Sequence, residues 1–493
     1  MYAGGGIQDT MTLSVLHISD LHRDAANPIG NQVLLDSLER DRDRYTSMED
    51  PRIEPPTLII VSGDIVQGVK HGTPDAEGTL RQQYDEALAF LNHLTGRFVG
   101  GDKRRVIIVP GNHDVSDDKF RQSLAAIDMA AGTKKALVSE LFKPDSPLRW
   151  SWEEFALYEI ADAEIYRQRL AAFGEFYSEF YEGKRSYSTD PSNQIDVFDF
   201  PDLGIAVAGF CSCHNNDLFN RQGAIHPDCI AEAGKQLRHI SLSHEPLRIA
   251  VWHHNTEGPP IEVDYMDPDI VQNLIDSGFS LGFHGHQHRP QFLDTRFRHG
   301  PDRRITVISA GTLCGGAAFR FGRAYNVVEI DIQNRTGRLH LREMQNDKLH
   351  MPIWGGRSLP PNRTSYLDFT FDPPPTPFVR PDRNTILLTK AQGMYDDGEY
   401  RPAAEIFSPL AAADPLARRL LLQCLIRLGD GPAIIAAFDP PESAAEAIAL
   451  INALWNEQDR ERLAAVLKYP LIAQSDDGSV IEMRDKYAAR LKT

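Results

Sequence analysis

Five short polar clusters, each placed at the end of an apolar β-like run, constrain this 493-residue chain more than any other feature. Asp20-Leu21-His22 follows Leu13 to Ile18, Gly63-Asp64 follows Leu58 to Val61, and Gly111-Asn112-His113-Asp114 follows Val106 to Val109. His253-His254 closes Ile249 to Trp252, and Gly285-His286-Gln287-His288 follows Leu281 to Phe283. A short apolar run reads as a strand buried on both faces. A strand that ends in polar residues presents them at the carboxyl edge of a sheet, where open α/β sheets keep their sites. Taken singly, Asp20 reads equally well as a helix cap and Gly63-Asp64 as a turn. Five clusters of Asp, Asn and His together predict one site assembled from distant strands.

Helix-like segments alternate with these runs from Thr12 to about Gln333: Gln32 to Tyr45, Leu80 to Leu94, Asp228 to His239 and Asp267 to Ser277. That alternation predicts a layered α/β domain over residues 12–345. Its end is strand-rich (Arg304 to Ser309, Tyr325 to Ile332, Gly337 to Glu343), and Asn334 to Gly337 reads as a hairpin turn. An insertion over 116–193 carries Trp150, Trp152 and then Phe173, Phe176, Tyr177, Phe180 and Tyr181 on one helical face. It predicts a helical cap. The face either packs the cap onto the domain or offers rings to a base or sugar, and a cap there would roof the site. Proline density over 346–383 predicts a linker with one strand candidate, Tyr366 to Phe371. Residues 384–493 are Ala/Leu-rich and helical. Tyr395, Gly398, Tyr400, Ala403, Phe407, Leu410 and Pro415 fall at offsets that resemble a tetratricopeptide repeat, with Pro415 expected to end the second helix. Such a unit would bind a partner protein, mediate self-association or buttress the first domain.

Hydrophobic residues make up 42% and charged residues 25% of the chain, and no apolar run reaches the ~20 residues of a membrane span. Residues 1–11 are Gly-rich, without the basic and apolar regions of a secretory signal, so a loose tail is expected and Met11 is a second possible start. The five scattered cysteines suit reduced thiols in the cytoplasm. Cys211-Ser212-Cys213-His214 lacks a second Cys/His pair and reads as a strand end, not a metal site. A net charge of −17 argues against holding duplex DNA through a broadly basic surface. Lys103 to Arg105 and Arg303-Arg304 read as solvated strand flanks.

Taken in order, D-x-H, G-D, G-N-H-D, H and G-H-x-H resemble the calcineurin-like metallophosphoesterase family over about residues 12–343. The resemblance implies a four-layer α/β/β/α sandwich with two metal ions at the carboxyl edge of its sheets. It assigns Asp20, His22, Asp64 and His288 to one ion and Asp64, Asn112, His253 and His286 to the other, with Asp64 bridging. His253 stands where the family's ligand sits at the strand end. His113 is expected to protonate the leaving oxygen or steady the phosphate, and Asp114 to support the catalytic turn. Asn112, His113 and His254 are the expected substrate contacts. His17 and His284 read as core histidines and His71 and His93 as surface ones. Ala310 to Gly316 reads as a turn.

The residue types suit that chemistry. Two cations about 3.5–4 Å apart acidify a bridging water to hydroxide and clamp the phosphoryl oxygens. Mixed nitrogen and oxygen donors without thiolate suit manganese first, and iron, zinc or cobalt as well. The second and third motifs lack the Asp-Arg-Gly and terminal Glu of protein Ser/Thr phosphatases and are more similar to cyclic-nucleotide phosphodiesterases and DNA-repair exonucleases. The sequence therefore predicts a phosphodiesterase acting on a small nucleotide-type diester. The alternatives are a metal-dependent nuclease recruited through the helical domain, or a scaffold whose metal site only binds.

Overall fold

The computed structural model describes residues 12–27, 29–128, 134–141, 143, 145–241, 243–257, 264–296, 304–316, 321–346, 348–359, 363–371, 383–475 and 477–491. The tail expected over 1–11, Arg303, Pro360, Pro361 and Pro373 to Pro375 lie outside them. In chain order the strands are β1 (Thr12–Ile18), β2 (Leu58–Ser62), β3 (Val106–Val109), β4 (Leu124–Ile127), β5 (Leu148–Ser151), β6 (Ala156–Ile160), β7 (Ile195–Phe200) and β8 (Ile205–Phe210). They continue as β9 (Leu247–Val251), β10 (Leu281–His284), β11 (Gln291–Arg296), β12 (Arg304–Ser309), β13 (Ala324–Asp331), β14 (Thr336–Met344), β15 (Trp354–Gly356) and β16 (Tyr366–Thr370).

The first sheet has the order β15-β14-β13-β1-β2-β3, with β16 also pairing on β14. β1, β2 and β3 are parallel, and β13 to β16 extend the sheet with antiparallel pairs. The second sheet has the order β11-β12-β10-β9-β8-β7, and β8, β9, β10 and β12 are parallel. Every residue of β2 and β3 is buried, as expected of parallel strands covered on both faces. Parallel neighbours need crossovers. The helices Asn31–Arg42, Ala76–Phe98, Pro227–Ile240 and Pro268–Asp276 lie in those connections.

Strand periodicity builds the layers. Ile205, Val207, Ile249, Val251, Leu281 and Phe283 join one core with Val15, Ile60 and Ile108 of the first sheet. Their chain neighbours Ala206, Ala208, Ala250 and Trp252 turn to the other face and meet Cys229, Ala233, Leu237 and Leu274 of two helices. Leu34, Leu38, Phe90 and Leu91 cover the first sheet with the other two. The result is the α/β/β/α sandwich.

The 116–193 insertion has the helix Ala171–Phe180 but also a three-stranded sheet of order β4-β6-β5, which the helical-cap expectation omitted. Such strands are too short for their alternation to stand out in sequence. Phe173, Phe176, Tyr177, Phe180 and Tyr181 are buried in the main core. Tyr84 stacks on Phe176 with ring centres 5.1 Å apart, and Tyr181 donates to Val106 O at 2.6 Å. These rings pack; they do not face a ligand. The expected linker also needs correction. β15 and β16 belong to the first sheet, and Trp354 is buried with its Nε1 donating to Ser37 Oγ at 2.9 Å. Proline marks edge strands as readily as linkers.

A second unit holds the helices from Arg383 onward. Consecutive helices pack around Leu388, Phe407, Leu420 and Phe438 and then around Leu450, Leu454, Leu463 and Val466. Gly398 makes its turn at φ +77°. Pro415 opens the third helix of this unit instead of ending the second, behind an Asp414 N-cap. No helix among the described residues is long and apolar enough to cross a membrane.

Candidate metal centre

Backbone pairing continues past the strand ends and fixes the loops that carry the polar clusters. Asp20 N donates to Gly63 O at 3.1 Å and His22 N to Asp64 O at 3.0 Å. Gly285 N donates to His253 O at 3.0 Å, and Leu313 N crosses to Ser19 O at 3.1 Å. A Cβ at Gly63 would overlap the His253 ring, and one at Gly285 would overlap Ser19 Oγ. Only glycine permits this approach of the two sheets.

The side chains form two adjoining sets. In the first, His288 Nε2 lies 3.2 Å from Asp20 Oδ1 and 3.2 Å from His22 Nε2, and His22 Nε2 is 3.8 Å from Asp64 Oδ2. In the second, His253 Nε2 lies 3.3 Å from the same Asp64 Oδ2 and 3.1 Å from Asn112 Oδ1. His286 Nδ1 completes it, 2.9 Å from Asn112 Oδ1 and 3.3 Å from His253 Nε2. All seven residues assigned to the ions from sequence are brought together, with Asp64 common to both sets.

The backbone is strained where it does this. Asp20, His22, Asp64, His286 and His288 have φ of +52°, +42°, +51°, +78° and +54°. Left-handed turns let alternate residues, Asp20 with His22 and His286 with His288, reach one centre. Each such residue costs about 1–3 kcal/mol and persists only where its surroundings over-determine it. Asp and His tolerate that region better than branched residues do.

Burial would raise Asp20 and Asp64, but His288 beside Asp20, and His253 and His113 beside Asp64, hold both carboxyls below the usual range. Burial would lower His253 and His288, but Asp64 and Asp20 respectively lift them to about 9. Burial prevails at His22, which falls to about 4. The centre thus draws positive charge onto two buried carboxylates.

Asp114 is buried behind the site. Its Oδ2 accepts from Gly111 N at 2.8 Å and Ile65 N at 3.2 Å, and its Oδ1 from Tyr84 OH at 3.0 Å. Burial and the charge of Asp64 still lift it to about 7. It holds the turn between Gly111 and Ile65 from behind the donor sets. His113 is edge-on to His22 with ring centres 4.6 Å apart and has its Nδ1 2.6 Å from Gln67 O. The expected substrate role of His254 is corrected. That ring is fully buried, with Nδ1 2.9 Å from Ser212 Oγ and Nε2 3.2 Å from Asn216 Nδ2.

His17 and His284 are buried, each with one nitrogen bonded, to Ser62 Oγ and Gly285 O. His71 pairs with Asp118 at 2.6 Å, and His93 is exposed. The Cys211-Ser212-Cys213 stretch has buried free thiols and is structural, through Ser212. That hydroxyl accepts from His253 N and His254 N at 3.1 Å each. Sequence reasoning missed this, and it missed the role of Ala310 to Gly316. Thr312 Oγ1 donates to Asp20 O at 3.1 Å, and Gly316 O lies 2.6 Å from His288 Nδ1. The glycines after β12 were the available signal. Asp264, 3.3 Å from His286 Nε2, carried none.

The arrangement fits two cations. Asp20 Oδ1 is buried without a hydrogen-bond partner, and imidazole nitrogens 3.2–3.3 Å apart can share at most one proton. A cation that accepts both lone pairs satisfies such a cluster. Each set offers imidazole nitrogen with carboxylate or amide oxygen and no thiolate, a donor mix suited to divalent transition ions.

The sequence matches the calcineurin-like phosphoesterase family over residues 13–290, more than half of the chain. The protein belongs to that family of metal-dependent phosphoric ester hydrolases. No curated relative matches it. Among solved structures it is similar to a purple acid phosphatase from yellow lupin (Lupinus luteus) seeds, at 10% identity over 67% of this chain and 51% of that one, with a TM-score of 0.37. The chain thus spans about half the length of the lupin enzyme. It is also similar to the calcineurin-like phosphoesterase YfkN from Bacillus subtilis (12% identity, 73% and 90% covered, TM-score 0.29). A third is the 5'-nucleotidase from Candida albicans (14%, 68% and 53%, TM-score 0.30).

Proposed function

We propose that the protein is a two-metal phosphodiesterase that cleaves a nucleotide-type diester. The observation that carries the reading is Asp64 Oδ2, 3.8 Å from His22 Nε2 in one donor set and 3.3 Å from His253 Nε2 in the other. On this reading Asp20, His22, Asp64 and His288 hold one ion, and Asp64, Asn112, His253 and His286 the other. Once bound, such a pair, manganese in the first instance with iron, zinc or cobalt also suited to these donors, would supply an acidified water and offset charge on the phosphoryl oxygens.

The chain's own residues position and protonate. Asp64 Oδ1 accepts from His113 N at 2.8 Å, so the shared ligand and the acid are held in register. His113 Nδ1–H donates to Gln67 O, so the ring would act as the acid in its imidazolium form, giving the Nε2 proton to the departing oxygen and keeping the Nδ1–H on Gln67 O. A cavity of about 280 Å³ lined by Asp24, Asn27, Gln67, Gly315, Gly316 and Arg323 adjoins His22 and His288. Its polar wall suits a hydroxyl-bearing leaving group such as a nucleoside. A larger cavity of about 680 Å³, by Arg304, Asp331 and Arg338, is at the far end of the first sheet, where Asp331 pairs with Thr12. It has no histidine and is not assigned to the reaction. All five cysteines are free and buried, which fits a reducing cytoplasm. The helical unit is the candidate arm for a partner protein or a second copy.

The test is a Mn²⁺-supplemented screen of bis(p-nitrophenyl) phosphate, p-nitrophenyl phosphate, cyclic nucleotides and single- and double-stranded DNA. Diester cleavage abolished by EDTA is expected. Preference for DNA would replace this reading with a nuclease, and activity that survives Asp64→Ala would refute the centre.

A further inference from the structure

We infer that Asp264 is the positioning residue of the second donor set: it holds His286 in the tautomer that turns a lone pair on Nδ1 toward Asn112 and His253. The inference rests on the two-ion reading above.

His286 is inverted relative to the other ligand imidazoles. His22, His253 and His288 point Nε2 inward. The outward Nδ1 of His253 and of His288 meets a backbone carbonyl, Ser62 O at 2.8 Å and Gly316 O at 2.6 Å. His286 points Nδ1 inward, and its outward Nε2 lies 3.3 Å from Asp264 Oδ2. The contact is not aligned as a hydrogen bond, and His286 Nε2 is buried without another partner. A carboxylate behind an imidazole fixes the N–H on the outer nitrogen and makes the inner one a stronger donor.

Charge explains why this ring needs a carboxylate. The first set has two, Asp20 and Asp64. The second has only the shared Asp64, because Asn112 is a neutral amide. Asp264 returns one negative charge to that side, one residue further out. It is held there because Met266, two residues on, donates its N–H to Asn255 O at 2.9 Å and bridges to Gly223.

Calorimetric titration of EDTA-stripped full-length protein with Mn²⁺ alone tests this, with near-ultraviolet dichroism as the check on fold. Wild type is expected to bind two ions. Asp264→Asn should weaken one of them by about 10–100-fold and leave the other unchanged, and Asp264→Glu should restore most of the loss. Unchanged binding of both ions, equal weakening of both, or an Asp264→Glu protein that is well folded and no better than Asp264→Asn would overturn the inference alone. A wild type that binds no ions would overturn the centre, and with it this inference.

Discussion

The two units solve the problem of burial in opposite ways. The sandwich buries many polar and charged side chains: Asp20, Asp64, Arg23, His17, His253, His254 and the pair Asp41–Arg342, bonded at 2.6 and 2.8 Å. In the helical unit Glu446 is the single buried polar residue among those described, and Arg418 meets it at 2.8 Å. Its interior is otherwise Leu, Ile, Ala, Val and Phe, with one cysteine, Cys424, and one tyrosine, Tyr487. Burying a polar group costs free energy unless it is paired. The sandwich bears that cost together with left-handed backbone at five positions of the donor cluster, whereas the helical unit only packs. The contrast teaches where the chemistry is without reference to any motif.

The predictions sharpen or break this contrast. Asp64→Ala should have the largest effect, removing both ions by elemental analysis and all EDTA-sensitive diesterase activity, while helical content by circular dichroism stays. Next, His113→Ala should lower kcat by about 10²–10⁴-fold with metal content retained; a variant that also loses metal would make His113 a ligand. In the helical unit, Phe407→Ala leaves a cavity at a fully buried ring and should destabilise that unit by about 3–5 kcal/mol in chemical denaturation, without changing Mn²⁺ affinity. Loss of metal binding in that variant would break the separation of roles. Mn²⁺ at a hundredfold over its Kd should stabilise the sandwich by about 2.7 kcal/mol for each ion bound, read from the buried Trp252, and leave the helical unit's transition where it was.

The smallest effect is alkaline. Burial raises Tyr45, Tyr181, Tyr325 and Tyr166 above the usual 10.0, Tyr166 to about 12. The folded state therefore resists ionisation that the unfolded chain allows, so this stability is complete below pH 10 and lost as pH rises beyond it. At pH 10 each such tyrosine forfeits about 0.4 kcal/mol, measurable as a falling unfolding free energy between pH 9 and 11. Stability that rises over that range would contradict the burial of these rings.

Much of the sandwich was legible because parallel strands leave an unusual trace. Leu58 to Val61 and Val106 to Val109 are too apolar and too short for anything but covered strands, and the polar residues after them could only face a sheet's edge. Alternation of direction allowed only one of His253 and His254 to face the centre, and the resemblance, which puts the family's ligand at the strand end, chose His253. Less legible were features that depend on partners remote in sequence. Nothing local shows that Trp354 fills the sandwich behind Ser37, or that the aromatic face from Phe173 to Tyr181 packs against Tyr84 and Val106. His254 looks like a site residue in sequence and is sealed by Ser212 and Asn216 in space.

By itself, then, the sequence marked the strand runs along the chain and the donor types that follow them, and the resemblance of its motifs picked out the seven side chains that the structure brings together. Only the tertiary structure decided which nitrogen each histidine turns inward, that Asp114 and His254 stand behind the site, and that Thr312, Gly316 and Asp264 brace it. Those outcomes depend on angles and contacts between segments that meet only once both sheets have closed on a common core.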